Sequence, residues 1–437
     1  MLYYLDNSEN NKNNPNENYA REFLELFTIG KGEQVSDGDY TNYTEHDVVQ
    51  AARVFSGIKF KNNRDNYDPD TVKTPHYPSG IPKGYIKVNV HDTGDKTFSY
   101  AFNNQTITGG NTSSSIESEL DDFVDMIFNK IETAKNYIRK LYRMFVRSEW
   151  DQEVEDDIIT PLAQQLQSNG YNLLEVLKTL LKSKHFFDLD DTDSTNENIG
   201  AIIKNPLQFV NELIQILGVI LPDPNTPQAP QGSGYNTSNE NFRYYIFWNA
   251  FLHNSFFAST GMTPFAPATV AGYPGDYQPP AYDKAWFNPN NIVARYNTIL
   301  SFIGQDYNDN FGNGINKIKG VQTTQSGAQY YERIWTLFDP VNFLENTVTD
   351  PFDANKIVEE LSEILYCESI DSFRVSYFIK FLIHDNEPNY VWYDTWNAFK
   401  NGNSTDSENA LVTIKNRLAG QDGLIPKMIN ASEFQLM

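Results

Sequence analysis

Glu22 and Glu25 stand three residues apart in a stretch with helical apolar spacing, so both carboxylates fall near one face, beside Glu17 and Arg21. Two carboxylates so placed can share a divalent cation or divide acid and base roles. A di-metal bundle would pair Glu-x-x-His motifs, which these helices lack, and Arg21 next to Glu22 suits an ion-pair network with a neighbouring helix. His91 beside Asp92 offers a second constellation, a base with an orienting carboxylate, with Lys96 as an anion ligand. The same string, His-Asp-Thr-Gly-Asp-Lys, also reads as an Asx-type turn in which Gly94 takes positive φ. The catalytic candidates are therefore Glu22, Glu25, His91 and Asp92. The ligand-binding candidates are Arg21, Lys96, Tyr273 and Trp286, the last two from a Pro/Tyr-rich loop where exposed rings would stack on sugar faces. Such loops also fold back and pack on helices.

Two loops carry alternating hard oxygen ligands that suit Ca²⁺. One holds Asp188, Asp190, Asp191 and Asp193, and the other Asp306, Asn308, Asp309 and Asn310. The first lacks the glycine an EF-hand requires and the second has Phe311 in its place, so solvated acidic loops compete with cation sites. The other histidines, His46, His76, His185, His253 and His384, show no His-x-x-x-His spacing, which disfavours a zinc hydrolase. Cys367, the only cysteine, excludes an internal disulfide and a Cys-rich zinc site, and its apolar helical setting suits a buried structural thiol.

The elements that must position these groups are mostly helical. Across 437 residues, 57 Asp+Glu against 34 Lys+Arg give a net charge of −23, which argues against nucleic acid and anionic membranes as partners. Hydrophobic residues at 40% supply core material, so the acidity is not a signature of disorder. No apolar run approaches the roughly 18–20 residues of a membrane span. The N-terminal stretch lacks the basic, apolar and small-residue segments of a signal peptide.

Periodicity predicts helices over 19–29, 44–55, 116–129, 133–146, 153–168, 173–182 and 206–217. Further helices are expected over 242–257, 292–303, 330–337, 354–367, 369–384, 391–399, 407–418 and 425–434. Residues 7–18 read as a flexible polar lead-in. Thr44 and Asp47 have capping-box spacing. A small antiparallel β insertion is expected near 85–109, turning at Asn103 and Asn104. The expected fold is mainly α: a multi-helix assembly with long Pro/Asn/Tyr-rich loops. Residues 1–221 form one helical region, 222–239 a linker-like connection, and 240–437 a second helical region packed on the first.

Several stretches, in order, resemble the bacterial domain-of-unknown-function family 1800. They are 1–7 (Met-Leu-Tyr-Tyr-Leu-Asp-Asn), 15–22 (Pro-Asn-Glu-Asn-Tyr-Ala-Arg-Glu), 27–30, 43–57, 91–98 (His-Asp-Thr-Gly-Asp-Lys-Thr-Phe) and 140–143 (Lys-Leu-Tyr-Arg). Residues 264–265, 267–274 and 432–436 complete the pattern, which is similar to the C-terminal two thirds of the family. Tyr273 stands where the family commonly has Trp. Members usually carry a further helical region upstream, often after an export signal, so the chain resembles a truncated or processed member. The resemblance implies a helical, exported bacterial protein, periplasmic, surface-bound or secreted, often encoded beside another exported family, 1501. It implies no established reaction. The leading expectation is a non-enzymatic binding or assembly protein of the envelope or surface, with a glycan or a protein such as a family 1501 member as partner. The alternative is a carboxylate/His-based hydrolase or a metal-dependent enzyme.

Overall fold

A computed structural model describes residues 5–60, 83–190, 197–221, 246–303, 315–323, 329–383, 387–388 and 390–437, and the chain is mainly α. It divides into two compact units, Met1–Phe145 with Glu149–Phe186, and Val146–Ser148 with Phe187–Met437. Residues 187–221 thus group with the second unit rather than the first, and the expected 222–239 connection lies outside the described residues.

In the first unit α1 (Glu17–Glu22) starts where the Asn16 side chain accepts from the Tyr19 amide, and it runs directly into a wider π-type turn, Phe23–Phe27. The orphan carbonyls at the end of that turn find donors on α4 (Ile131–Phe145), introduced by α2 (Glu45–Val54) and α3 (Ser113–Phe128). Tyr137 Oη donates to the Phe27 carbonyl at 2.6 Å, Asn136 Nδ2 to that of Thr28 at 2.6 Å, and Lys140 Nζ to that of Leu26. Beyond α4 come α5 (Gln152–Val154), a second π-type turn over Glu155–Ile159, α6 (Thr160–Ser168) and α7 (Leu173–Leu181).

Among the described residues of this unit the strands form three short antiparallel pairs. β1 (Gln34–Ser36) pairs with β2 (Asp39–Tyr40), and β3 (Ile58–Lys59) with β4 (Tyr85–Ile86). β5 (Lys96–Thr97) pairs with β6 (Thr106–Ile107). The expected turn at Asn103 and Asn104 is present, both with left-handed φ near 57° and 55°, which short amide side chains tolerate. Rings link the motif-bearing segments: Phe55 of the α2 C-cap meets Tyr19 at 4.9 Å, Phe23 at 5.0 Å and Phe123 at 5.4 Å, and Phe98 stacks on Phe123 at 5.5 Å. Each such pair adds about 0.5–1.5 kcal/mol to the burial of its rings.

The polar lead-in is not a loose tether. Asn7 and Asn10 are fully buried, and their amides donate to the Ala52 and Phe55 carbonyls at the end of α2 and to the Ile58 carbonyl of β3. Chain-end carbonyls of a helix need donors once water is excluded, and these two amides supply them.

The second unit begins with α8 (Pro206–Leu217), closed by Gly218 in left-handed conformation. Phe209, Leu213, Leu361, Phe378, Trp392, Trp396, Ile414 and Leu424 belong to its continuous apolar core. The helix expected over 330–337 is instead β8 (Gln329–Leu337), antiparallel to β7 (Ile315–Thr323). Its sequence, with Tyr330, Tyr331, Ile334, Trp335 and Thr336, is rich in aromatic and β-branched residues that favour strands. Residues 202–204 are joined to 435–437 by backbone hydrogen bonds, Lys204 N to the Gln435 carbonyl at 2.8 Å and Met437 N to the Ile202 carbonyl at 2.9 Å. Lys204 Nζ adds bonds to Glu212 and the Phe434 carbonyl, both at 2.8 Å, and Arg374 grips Glu433 at 2.6 and 3.0 Å. Arg295, fully buried, holds the Lys204 carbonyl and Gln435, and burial lowers its pKa to about 10. Cys367 lies beyond the helix Ala354–Leu365 and is exposed, not buried as its sequence setting suggests.

Candidate functional site

The motif segments of the first unit meet around α2. At its N-terminus Thr44 and Asp47 form the capping box, and Asp47, wholly buried, also accepts from Ser99 N at 2.7 Å and Ser99 Oγ at 2.6 Å. Arg21 reaches across from α1 to hold both oxygens of Glu45 at 2.5 and 2.8 Å. That bidentate bond, and the attraction of the guanidinium, keep the Glu45 carboxyl below its ordinary range. Close by, Tyr43 is wholly enclosed; burial first, and then Glu25, push its phenol up.

At the other end of α2, Arg53 makes a fork to Asp92, with Nε and Nη2 each 3.0 Å from a carboxylate oxygen. Burial pushes the Asp92 carboxyl up, but the Arg53 bonds, the Gly94 amide and the nearby cations outweigh it, and the net shift is downward. Asp92 therefore does not orient His91. The carboxylate that does is Glu119 of α3, whose Oε2 lies 3.1 Å from His91 Nε2 and accepts from Gly110 N at 2.6 Å. Its Oε1 sits 2.6 Å from Lys96 Nζ, an ionic approach rather than an aligned hydrogen bond. His91 Nδ1 lies 2.7 Å from the Ser56 carbonyl, which can only accept, so Nδ1 carries a proton. His91, Lys96 and Glu119 are all shut off from water.

The sequence candidates are thus dispersed among separate partners. Glu25 pairs with Lys31 at 2.6 Å, Arg21 with Glu45, Asp92 with Arg53, and His91 and Lys96 with Glu119. Glu22 is half-buried, and desolvation, then Glu25, raise its carboxyl above the ordinary range. Lys96, proposed as an anion ligand, is buried and committed to Glu119, which corrects that expectation. Trp286 is buried against Tyr273, with ring centres 6.2 Å apart, and Tyr273 Oη donates to the Thr263 carbonyl, so this loop packs back on itself and the indole face is not a platform. Asp188, in left-handed conformation, closes its own loop by accepting from Glu197 N at 2.6 Å. Asp190 is exposed, and Asp306, Asn308 and Asn310 lie outside the described residues. Among the described residues no group of three or more His, Cys, Asp or Glu side chains is arranged to hold a metal.

Sequence reasoning missed Glu45, Ser56, Arg53 and Glu119. The last had a signal: it follows Ile116 by three residues and precedes Phe123 by four, a carboxylate on the apolar face of its helix.

One open feature of this unit lies beside the β5–β6 hairpin. A cleft of about 410 Å³ separates the strand residues Gln105 to Thr108 from the outer face of α3. Its floor includes Phe102, Ile107 and Met126, all buried. Its walls carry the amides of Asn103, Gln105 and Asn129, the carboxylates of Asp122 and Asp125, and the Lys130 ammonium. Among the described residues, none of the five amides and carboxylates hydrogen-bonds to protein through its side chain. The Lys130 ammonium lies over the Phe102 ring, 5.7 Å from its centre.

A family model described as protein of unknown function (DUF1800) matches residues 1–435. No curated protein and no solved structure matches the chain.

Proposed function

The chain belongs to the family of proteins of unknown function DUF1800, and from that premise we propose that it is a non-enzymatic binding or assembly protein of the bacterial cell envelope or surface. Its partner is a glycan or an envelope protein, a member of exported family 1501 included. The observation that carries this reading is the contrast within the first unit. Arg21 is paired with Glu45, Arg53 with Asp92 and Lys96 with Glu119, the last pair shut off from water, whereas the amide and carboxylate side chains around the cleft hydrogen-bond to none of the described residues. Buried, mutually paired charges hold elements in register; unspent donors and acceptors around a concavity are what a ligand uses.

The family resemblance supports export, and the net charge of −23 suits a solvated protein that avoids anionic lipid. Fractionation of cells producing the tagged protein, followed by sedimentation of the purified protein with washed envelopes, tests the reading. Extracytoplasmic recovery with saturable co-sedimentation is expected. A wholly cytoplasmic protein that shows no saturable association with envelopes would overturn it.

A further inference from the structure

We propose that the cleft between β6 and α3 binds a neutral, hydroxyl-rich glycan. The inference rests on the reading of the chain as a binding protein and assigns its site and ligand class.

The volume, about 410 Å³, lies within the roughly 300–1,000 Å³ of small-molecule sites. Most such sites are apolar with a few polar groups, and here the proportion is reversed. Amides at Asn103, Gln105 and Asn129 each present donors and an acceptor, while Asp122 and Asp125 present acceptors only. A ligand satisfying both kinds must itself carry many groups that donate and accept, as a ring of hydroxyls does. Phe102, Ile107 and Met126 are buried beneath these walls, so recognition falls to the hydrogen-bonding groups of the rim.

Charge decides which sugars fit. Two carboxylates against one ammonium leave the walls at about −1, within a chain of net charge −23, so phosphate or uronate ligands are repelled. Neutral hydroxyls escape that repulsion, and carboxylates accept from adjacent hydroxyl pairs with the added strength of charge-assisted bonds. Preorganisation also favours the site. The hairpin wall is fixed by the β5–β6 pairing and by the Thr97–Thr106 hydroxyl contact at 2.9 Å, and the other wall is a capped helix.

Isothermal titration of the purified chain with cello-, malto- and chito-oligosaccharides, and with an oligogalacturonide as the anionic contrast, tests the proposal. At least one neutral oligosaccharide is expected to bind with Kd between about 10 μM and 1 mM. The double variant Asp122→Ala/Asp125→Ala should weaken that binding at least about tenfold, and Gln105→Ala about threefold, with Tm unchanged because none of these side chains has a protein partner. Absence of neutral binding up to about 10 mM, affinity indifferent to these variants, or preference for the oligogalacturonide would each overturn it. Failure of the neutral oligosaccharides to bind, with envelope association of the unaltered protein retained, would remove this glycan site while leaving the binding reading intact; an unaltered protein without envelope association would remove the binding reading itself.

Discussion

Glu119 sits between two cationic or proton-bearing partners, His91 and Lys96, with all three side chains out of water. Removing one partner of such a group strands the others, a loss of about 3–5 kcal/mol. Glu119→Gln is therefore expected to lower the unfolding free energy of the first unit in urea titration by that order, whereas Lys96→Met/Glu119→Gln should recover part of the loss. A single variant that costs under about 1 kcal/mol would show that the node carries no net pairing. Glu22 presents the opposite case. Its folded-state pKa is raised by desolvation and by Glu25, so its ionisation opposes folding. That penalty is absent below the unfolded pKa and complete above the folded one. Glu22→Gln should consequently raise Tm near neutral pH by a small amount, with the gain shrinking to nothing as the pH falls through the raised pKa towards ordinary carboxylate values. A gain that persists at the acid end would contradict the assignment. The sequence made Glu22, Glu25 and His91 visible as titratable groups but not their partners, because Glu119 lies 28 positions from His91 and Arg53 lies 39 from Asp92.

α2 depends on what is fastened to its two ends. Thr44→Ala should cost about 1 kcal/mol through loss of the cap. Asp47→Ala should cost more, since Thr44 N, Ser99 N and Ser99 Oγ would also lose their acceptor. Equal losses in denaturant titrations of the two variants would contradict the wider role of Asp47. This end of the helix was legible, since capping boxes are local in sequence. The other end was not: Asn7 and Asn10 reach carbonyls more than 40 positions away, and a run of asparagines reads as loose chain until the helix that needs their amides is in place. Helices with clear apolar periodicity, such as α3 and α8, were readable for the converse reason. β8 was misread because nine residues rich in Tyr, Ile and Trp carry too little periodic signal to separate helix from strand, and its pairing partner β7 was not recognised. The same distance problem hid the cleft, whose walls come from a hairpin and a helix that only folding brings together.

Over the whole molecule, a net charge of −23 repels itself, and most of it faces water where salt can screen it. Raising sodium chloride from about 10 to 150 mM should therefore raise Tm, while the enclosed Lys96–Glu119 pair gains nothing from screening. A fall in Tm would mean that surface pairs such as Arg21–Glu45 outweigh the repulsion. Deletion of residues 432–437 should remove the Phe434, Gln435 and Glu433 acceptors of Lys204, Arg295 and Arg374, and amide hydrogen exchange is expected to show lost protection across the second unit. Unchanged protection at 202–217 would show that the tail is not part of that unit's stability. The Lys204–Phe434 bond also sets a schedule. Its partners are 230 positions apart, and a ribosome adding about 5–20 residues per second takes about 10–50 s to travel from one to the other. Throughout that interval the second unit lacks its closing segment, whereas every residue of the first has already been made. The nascent chain is thus half committed while it is being translated, and whatever receives it meets one unit able to fold and another that must wait.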